Sequence, residues 1–170
     1  MPSGELLLRA QALTSQGFAP YGDVLDAHGR FGRPINRGTT QRFDLPHPHV
    51  HAESGQASLA LFRAQAQPVH GPWREMERHC LGSQSFIPLA GARSVVIVAL
   101  GAMAPQPDSL AAFYVTGDQG FTLHPGTWHH PLIALDAGDF MILERGSLTV
   151  DCETVFLPVS VRLTMPDMPD

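Results

Sequence analysis

Apolar and polar residues alternate with a period of two over most of the chain from residue 57 onward, and this pattern predicts β-strands. Strands are predicted for 57–64, 75–79, 84–89, 93–100, 111–116, 120–124, 129–135, 139–145 and 149–157. Each is short and many are rich in β-branched or aromatic residues. Gly, Pro or Asp separates most of them. The segment 93–100, RSVVIVAL, is almost continuously apolar, as expected of a strand covered on both faces. Helical periodicity is scarce. PDSLAAF at 107–113 predicts one or two turns, with Asp108 or Ser109 near its start, and a short helix is expected near Thr14–Gly17. Residues 26–56 are rich in Gly, Pro, His and Arg with little periodicity, which predicts a long ordered arm with short strands. The tail from 159 is expected to be loose, leaving one domain over 1–158. Eight or nine short strands point to an all-β sandwich or jelly-roll barrel with few short helices.

Composition narrows the functional classes. Apolar residues make up 44% of the 170, which favours a packed core over a disordered chain. Eleven arginines, no lysine and sixteen acidic residues give a formal charge of −5, which argues against a nucleic-acid partner. No apolar run is long enough for a transmembrane helix, so no membrane partner is expected. The start does not read as a signal peptide, and Cys80 and Cys152 are too few for a disulfide scaffold. The expected compartment is a reducing cytoplasm with both thiols free.

Nine histidines remain as candidates for chemistry near neutral pH. Glu77 and His79 stand two apart on a predicted strand and so share a face. Gln84 begins the next strand after a Leu81-Gly82 turn, and His129 arrives from a later strand after Pro125-Gly126. These four side chains could converge at the mouth of a barrel. A lone Glu-x-His describes an ordinary solvated strand face. The joint spacing of Gly71, Glu77, His79, Gln84 and Gly91, together with the second cluster, raises the weight of a site. Only one of the adjacent His129 and His130 can point inward on a strand. His47, His49 and His51 could share a face, but an exposed loop explains them and they receive no role.

The spacing resembles that of the cupin superfamily. Gly126 and His129 fit its second motif, while Glu77 stands at a usual histidine position, Gln84 at the usual acid and Ile133 at the usual closing Asn. On this resemblance Glu77, His79, Gln84 and His129 would be the ligands of a divalent first-row metal, if one is bound; a metal-free site stays open.

A closer resemblance, to the ureidoglycolate lyase family, rests on four stretches. They are Phe18–Val24, Pro34–Gly38, Glu77–Pro88 (ERHCLGSQSFIP) and Trp128–Leu132 (WHHPL), with Phe140, Arg145-Gly146 and Asp151-Cys152 continuing the pattern. It implies a cupin-type homodimer that cleaves (S)-ureidoglycolate to glyoxylate and urea in allantoin breakdown. An amidohydrolase releasing ammonia, another cupin enzyme and a small-molecule sensor are the alternatives. The reaction needs a base for the substrate hydroxyl, an acid for the leaving nitrogen and a cation for the carboxylate. Glu77, His79, His129 and His124 are the acid–base candidates. Arg63 is favoured for the carboxylate, with Arg37 and Arg42 as alternatives. Asn36 and Gln84 are further substrate-binding candidates, and Trp128 is expected to be a pocket wall.

Overall fold

A computed structural model describes residues 4–167 and shows two large β-sheets packed on each other. The larger sheet runs in the order β1 (Glu5–Arg9), β15 (Glu153–Thr164), β7 (Trp73–Arg78), β12 (Trp128–His129), β9 (Ser94–Ala99), β10 (Ala111–Val115) and β2 (Gln11–Ala12), with β13 (Ile133–Ala134) also pairing to β9. The smaller sheet has the order β3 (Gly22–Leu25), β11 (Gly120–Leu123), β8 (Gln84–Pro88), β14 (Gly138–Gly146) and β6 (Gln56–Ala64). A separate hairpin, β4 (Arg33–Ile35) and β5 (Thr40–Arg42), lies within the predicted arm. The only α-helix among the described residues is the single turn α1 (Ser15–Phe18), where Thr14 Oγ1 accepts a hydrogen bond from the Gly17 N–H at 3.1 Å. This is the expected all-β jelly-roll of cupin type.

Strand β9 explains how the two cores are built. All six of its residues are buried. Val96 and Val98 point between the sheets, where they join Phe86, Phe121, Phe140 and Ile142 of the smaller sheet. Val95, Ile97 and Ala99 point the other way, into a second core with Tyr114, Trp128, Val161 and Leu163. The larger sheet curls around this second core, bringing β1 near β10, and a register shift in β15 between Phe156 and Val161 accompanies the bend.

PDSLAAF forms a single 3-10 turn at Pro107–Ser109, and its last residues enter the predicted strand, observed as Ala111–Val115, where antiparallel pairing with β9 buries the alternating Ala112 and Tyr114. Two expectations need correction. The predicted strand 129–135 is split, since residues 130–132 separate β12 from β13. The segment from 159 to 164 is not loose. It continues β15 and pairs in parallel with β1, which buries Val161 and Leu163. Residues 168–170 of the expected tail lie outside the described residues.

Candidate active site

Glu77 of β7 and His129 of β12 are direct cross-strand partners, and His129 is also opposite Val98 of β9. Opposed residues share a face, so both side chains project toward the space between the sheets. Their neighbours Met76 and Trp128 alternate into the second core. His79 follows the end of β7, and its carbonyl accepts a 2.8 Å hydrogen bond from the Gly126 N–H. That bond ties the first motif to the turn that carries His129. Gly126 holds φ at +85°, a left-handed conformation that favours glycine. The ligand atoms of Glu77, His79 and His129 all lie within 4.8 Å of one another, and the two imidazole centroids are 5.5 Å apart. Gln84 starts β8 on the facing sheet, in register with Leu123 and Glu144, and is buried.

The hydrogen bonds fix which atoms face inward. His79 Nδ1 lies 2.6 Å from the Asp151 carbonyl and His129 Nδ1 lies 3.1 Å from the Thr127 carbonyl. A carbonyl oxygen only accepts, so each Nδ1 carries the proton and each Nε2 presents a lone pair. Both Nε2 atoms are buried without a hydrogen-bond partner, and so is Gln84 Oε1, because the Gln84 amide nitrogen donates to Glu144 Oε2 at 2.9 Å. Glu77 Oε1 stands 3.4 Å from His129 Nε2. This is a loose contact rather than a formed hydrogen bond. The contact with His129, helped by the neighbouring His79, holds the Glu77 carboxyl below its ordinary range, against the opposing effect of burial. The cluster is therefore a set of electron-pair donors with no hydrogen-bond donor among them, an arrangement that a cation or an added proton would satisfy. Two imidazoles, a carboxylate and an amide oxygen fit a divalent first-row ion.

Several predicted residues are placed elsewhere. His124 pairs through Nε2 with Asp23 Oδ2 at 2.9 Å and is not part of the Glu77–His79–His129 group, since β3 draws its ring away. Arg63 forms a bidentate bond to Asp139 at 2.9 and 3.0 Å. Asp139 lies five residues from Glu144 along β14, about 17 Å at extended-strand rise, so Arg63 sits at the far end of the sheet. Trp128 is not a pocket wall. It is fully buried in the second core, donates from Nε1 to the Gly101 carbonyl and lies beneath the Arg78 guanidinium, because its strand neighbour His129 takes the inward face. Asn36 and Arg37 form the exposed tip between β4 and β5, and neither is among the residues that line the cleft at His79. Arg42, on the same hairpin, is paired with Asp44.

Two residues received no role from sequence. Glu144 points inward after Phe140 and Ile142, and the alternation of β14 carries that signal. Asp151 accepts from the Cys80 and Leu81 N–H groups at 2.9 and 2.8 Å, and its carbonyl orients His79. Only the folded pairing of β7 with β15 makes this role visible. A cleft of about 220 Å³, lined by His79, Ser83, Glu144, Arg145 and Asp151 among others, opens beside the cluster. Its size suits a small metabolite rather than a drug-sized ligand.

A jelly-roll barrel with an interior glutamate and two inward histidines defines a cupin-type protein. The sequence profile of the family described as ureidoglycolate lyase matches residues 5–164, nearly the whole chain. The chain is 44% identical over 155 residues to a ureidoglycolate lyase of Burkholderia cepacia, covering 90% of this chain and 88% of that one. It is 36% identical over 160 residues to one of Stutzerimonas stutzeri (93% and 94% covered) and 35% identical over 161 residues to one of Azotobacter vinelandii (94% and 97% covered). The chain belongs to the ureidoglycolate lyase family.

Proposed function

We propose that the protein is a ureidoglycolate lyase that cleaves (S)-ureidoglycolate to glyoxylate and urea, working as a cytoplasmic homodimer. The observation that carries the chemistry is the buried cluster of Glu77, His79 and His129, with the free oxygen of Gln84 on the facing sheet. Family membership supplies the substrate.

His79 Nε2, His129 Nε2, Gln84 Oε1 and Glu77 Oε1 would hold a divalent first-row ion. When bound, such an ion lowers the pKa of an oxygen it contacts and offsets negative charge on the substrate. Glu77 Oε2 takes the proton of the carbinol hydroxyl. The carbonyl of glyoxylate forms as the carbon–nitrogen bond breaks, and the same proton passes to the departing urea nitrogen. The carboxylate is thereby regenerated and no water is consumed, which distinguishes cleavage from hydrolysis. His79 and His129 are held in one tautomer by the Asp151 and Thr127 carbonyls, which directs both Nε2 lone pairs into the cluster.

The substrate carboxylate is met by Arg37. Among the described residues, this guanidinium has no hydrogen bond or ion pair, whereas Arg63, Arg42 and Arg93 are paired with acids. Asn36 and Arg37 both hold positive φ, at 50° and 59°, a strained conformation that the tip of the arm maintains. In the homodimer the arm of one subunit brings this tip to the other's cleft.

Assay of the purified protein with (S)-ureidoglycolate is the test. Equal amounts of glyoxylate and urea are expected, with turnover lost on chelation and restored by a divalent ion. Ammonia formed in stoichiometric amount without urease would overturn the lyase reading in favour of an amidohydrolase.

A further inference from the structure

Resting on the ion-binding cluster just proposed, we propose that Glu144 is a positioning residue: it fixes the Gln84 amide so that the carbonyl oxygen, not the NH2 group, is presented to the interior.

Gln84 and Glu144 are direct partners across β8 and β14, and both face inward at the end of a stack whose deeper members are Phe86 and Ile142. A glutamine amide can be rotated by half a turn with little change in shape. Its two ends have opposite chemistry: the nitrogen donates and the oxygen accepts. What selects the orientation is the neighbour. The Glu144 carboxylate oxygen accepts from the amide nitrogen, and the rotated amide would set oxygen against oxygen. The observed orientation instead gives a 2.9 Å bond from Gln84 Nε2 to Glu144 Oε2. It leaves Gln84 Oε1 buried and without a partner.

That selection changes what the cluster can bind. With the oxygen inward, Gln84 adds a fourth electron-pair donor to His79, His129 and Glu77. With the amide reversed, an NH2 group would supply two hydrogen-bond donors, suited to the Glu77 carboxylate and opposed to a cation. An amide oxygen is a weaker ligand than the carboxylate usual at this place in the cupin motif. A fixed orientation lets it act without the cost of being ordered on binding. Glu144 contributes its charge to the cleft wall as well, one residue before Arg145, whose Nε donates to the Ala52 carbonyl at 2.7 Å and Nη2 to the Glu53 carbonyl at 3.2 Å.

The test is titration of the full-length, chelator-treated protein with Co2+, read by calorimetry and by the visible absorption of the bound ion. The parent is expected to bind one equivalent. Gln84→Leu and Glu144→Met should each weaken binding about 10- to 100-fold, the range for removing a group that orients a ligand. The double variant should bind no more weakly than Gln84→Leu alone, because Glu144 acts through Gln84. Glu144→Gln should bind nearly as the parent does, since its own amide oxygen can accept from Gln84. Parental affinity in Glu144→Met overturns the proposal, as do losses that multiply in the double variant. Failure of the parent to bind any divalent ion overturns it together with the ion-binding reading, which is a distinct result. Should Glu144→Met not fold, NMR of the parent decides. On adding Zn2+ the Gln84 side-chain carbonyl carbon should shift while its NH2 protons stay slow to exchange, and an unshifted carbonyl refutes the idea.

Discussion

Glu77 and His129 face each other across β7 and β12, with Glu77 Oε1 3.4 Å from His129 Nε2, although 51 positions separate them in the chain. The Nδ1 proton of His129 is held by the Thr127 carbonyl, so both facing atoms carry electron pairs. A bound cation or an added proton between them would satisfy both.

Glu77 and His129 should therefore behave as one unit. Glu77→Gln and His129→Asn are each expected to lower kcat/KM by about 10²- to 10⁴-fold, the usual contribution of a positioned acid–base group. The double variant should be hardly worse than the poorer single one. Steady-state kinetics with (S)-ureidoglycolate measure this, and multiplicative losses would mean that the two act independently.

Arg63 and His124 were attractive from sequence, but the fold commits them to Asp139 and Asp23. Arg63→Ala and His124→Ala should leave KM and kcat unchanged. Arg37→Ala should raise KM markedly with a smaller effect on kcat. A raised KM in Arg63→Ala, with Arg37→Ala normal, would reverse the assignment of the carboxylate-binding arginine.

Trp128 should affect stability rather than substrate affinity. It is fully buried and donates to the Gly101 carbonyl at 3.0 Å. Trp128→Ala is expected to cost about 3–5 kcal/mol of folding stability. The milder Trp128→Phe should lower the melting temperature with KM unchanged. A changed KM without a change in melting would instead place Trp128 at the substrate.

Arg93 donates to both carboxylate oxygens of Asp136 at 2.7 and 2.8 Å. Its guanidinium lowers the Asp136 pKa to about 2. A depressed folded pKa means that the stabilisation is complete above the ordinary aspartate value and fades as pH falls toward 2. The pair is partly exposed, so solvent screening limits the effect to about 1 kcal/mol or less. Urea denaturation should show Asp136→Asn less stable than the parent near neutral pH, with the gap closing in strong acid. A gap independent of pH would mean that the loss is not electrostatic.

The sequence by itself determined the class of fold and the shared face of Glu77 and His79, and its resemblance to the cupin motif selected His129 over His130. A strand repeats every two residues, so alternation tells which side chains share a face, and Pro125-Gly126 before Thr127 marks the turn delivering His129. The apolar run of β9 likewise announced a strand covered on both sides. Alternation also contained Glu144 and the inward end of β14, though nothing local distinguishes an inward acid at a strand end from a solvated one. Only the tertiary structure decided the partners. Register between strands distant in sequence set Glu77 opposite His129 and Gln84 opposite Glu144. Pairing of distant chain segments likewise took Arg63 and His124 out of the site and brought the Asp151 carbonyl to His79. The physical reason is that a hydrogen bond or ion pair depends on a few ångströms of separation in space, while the sequence pattern fixes only the direction in which a side chain leaves its own strand.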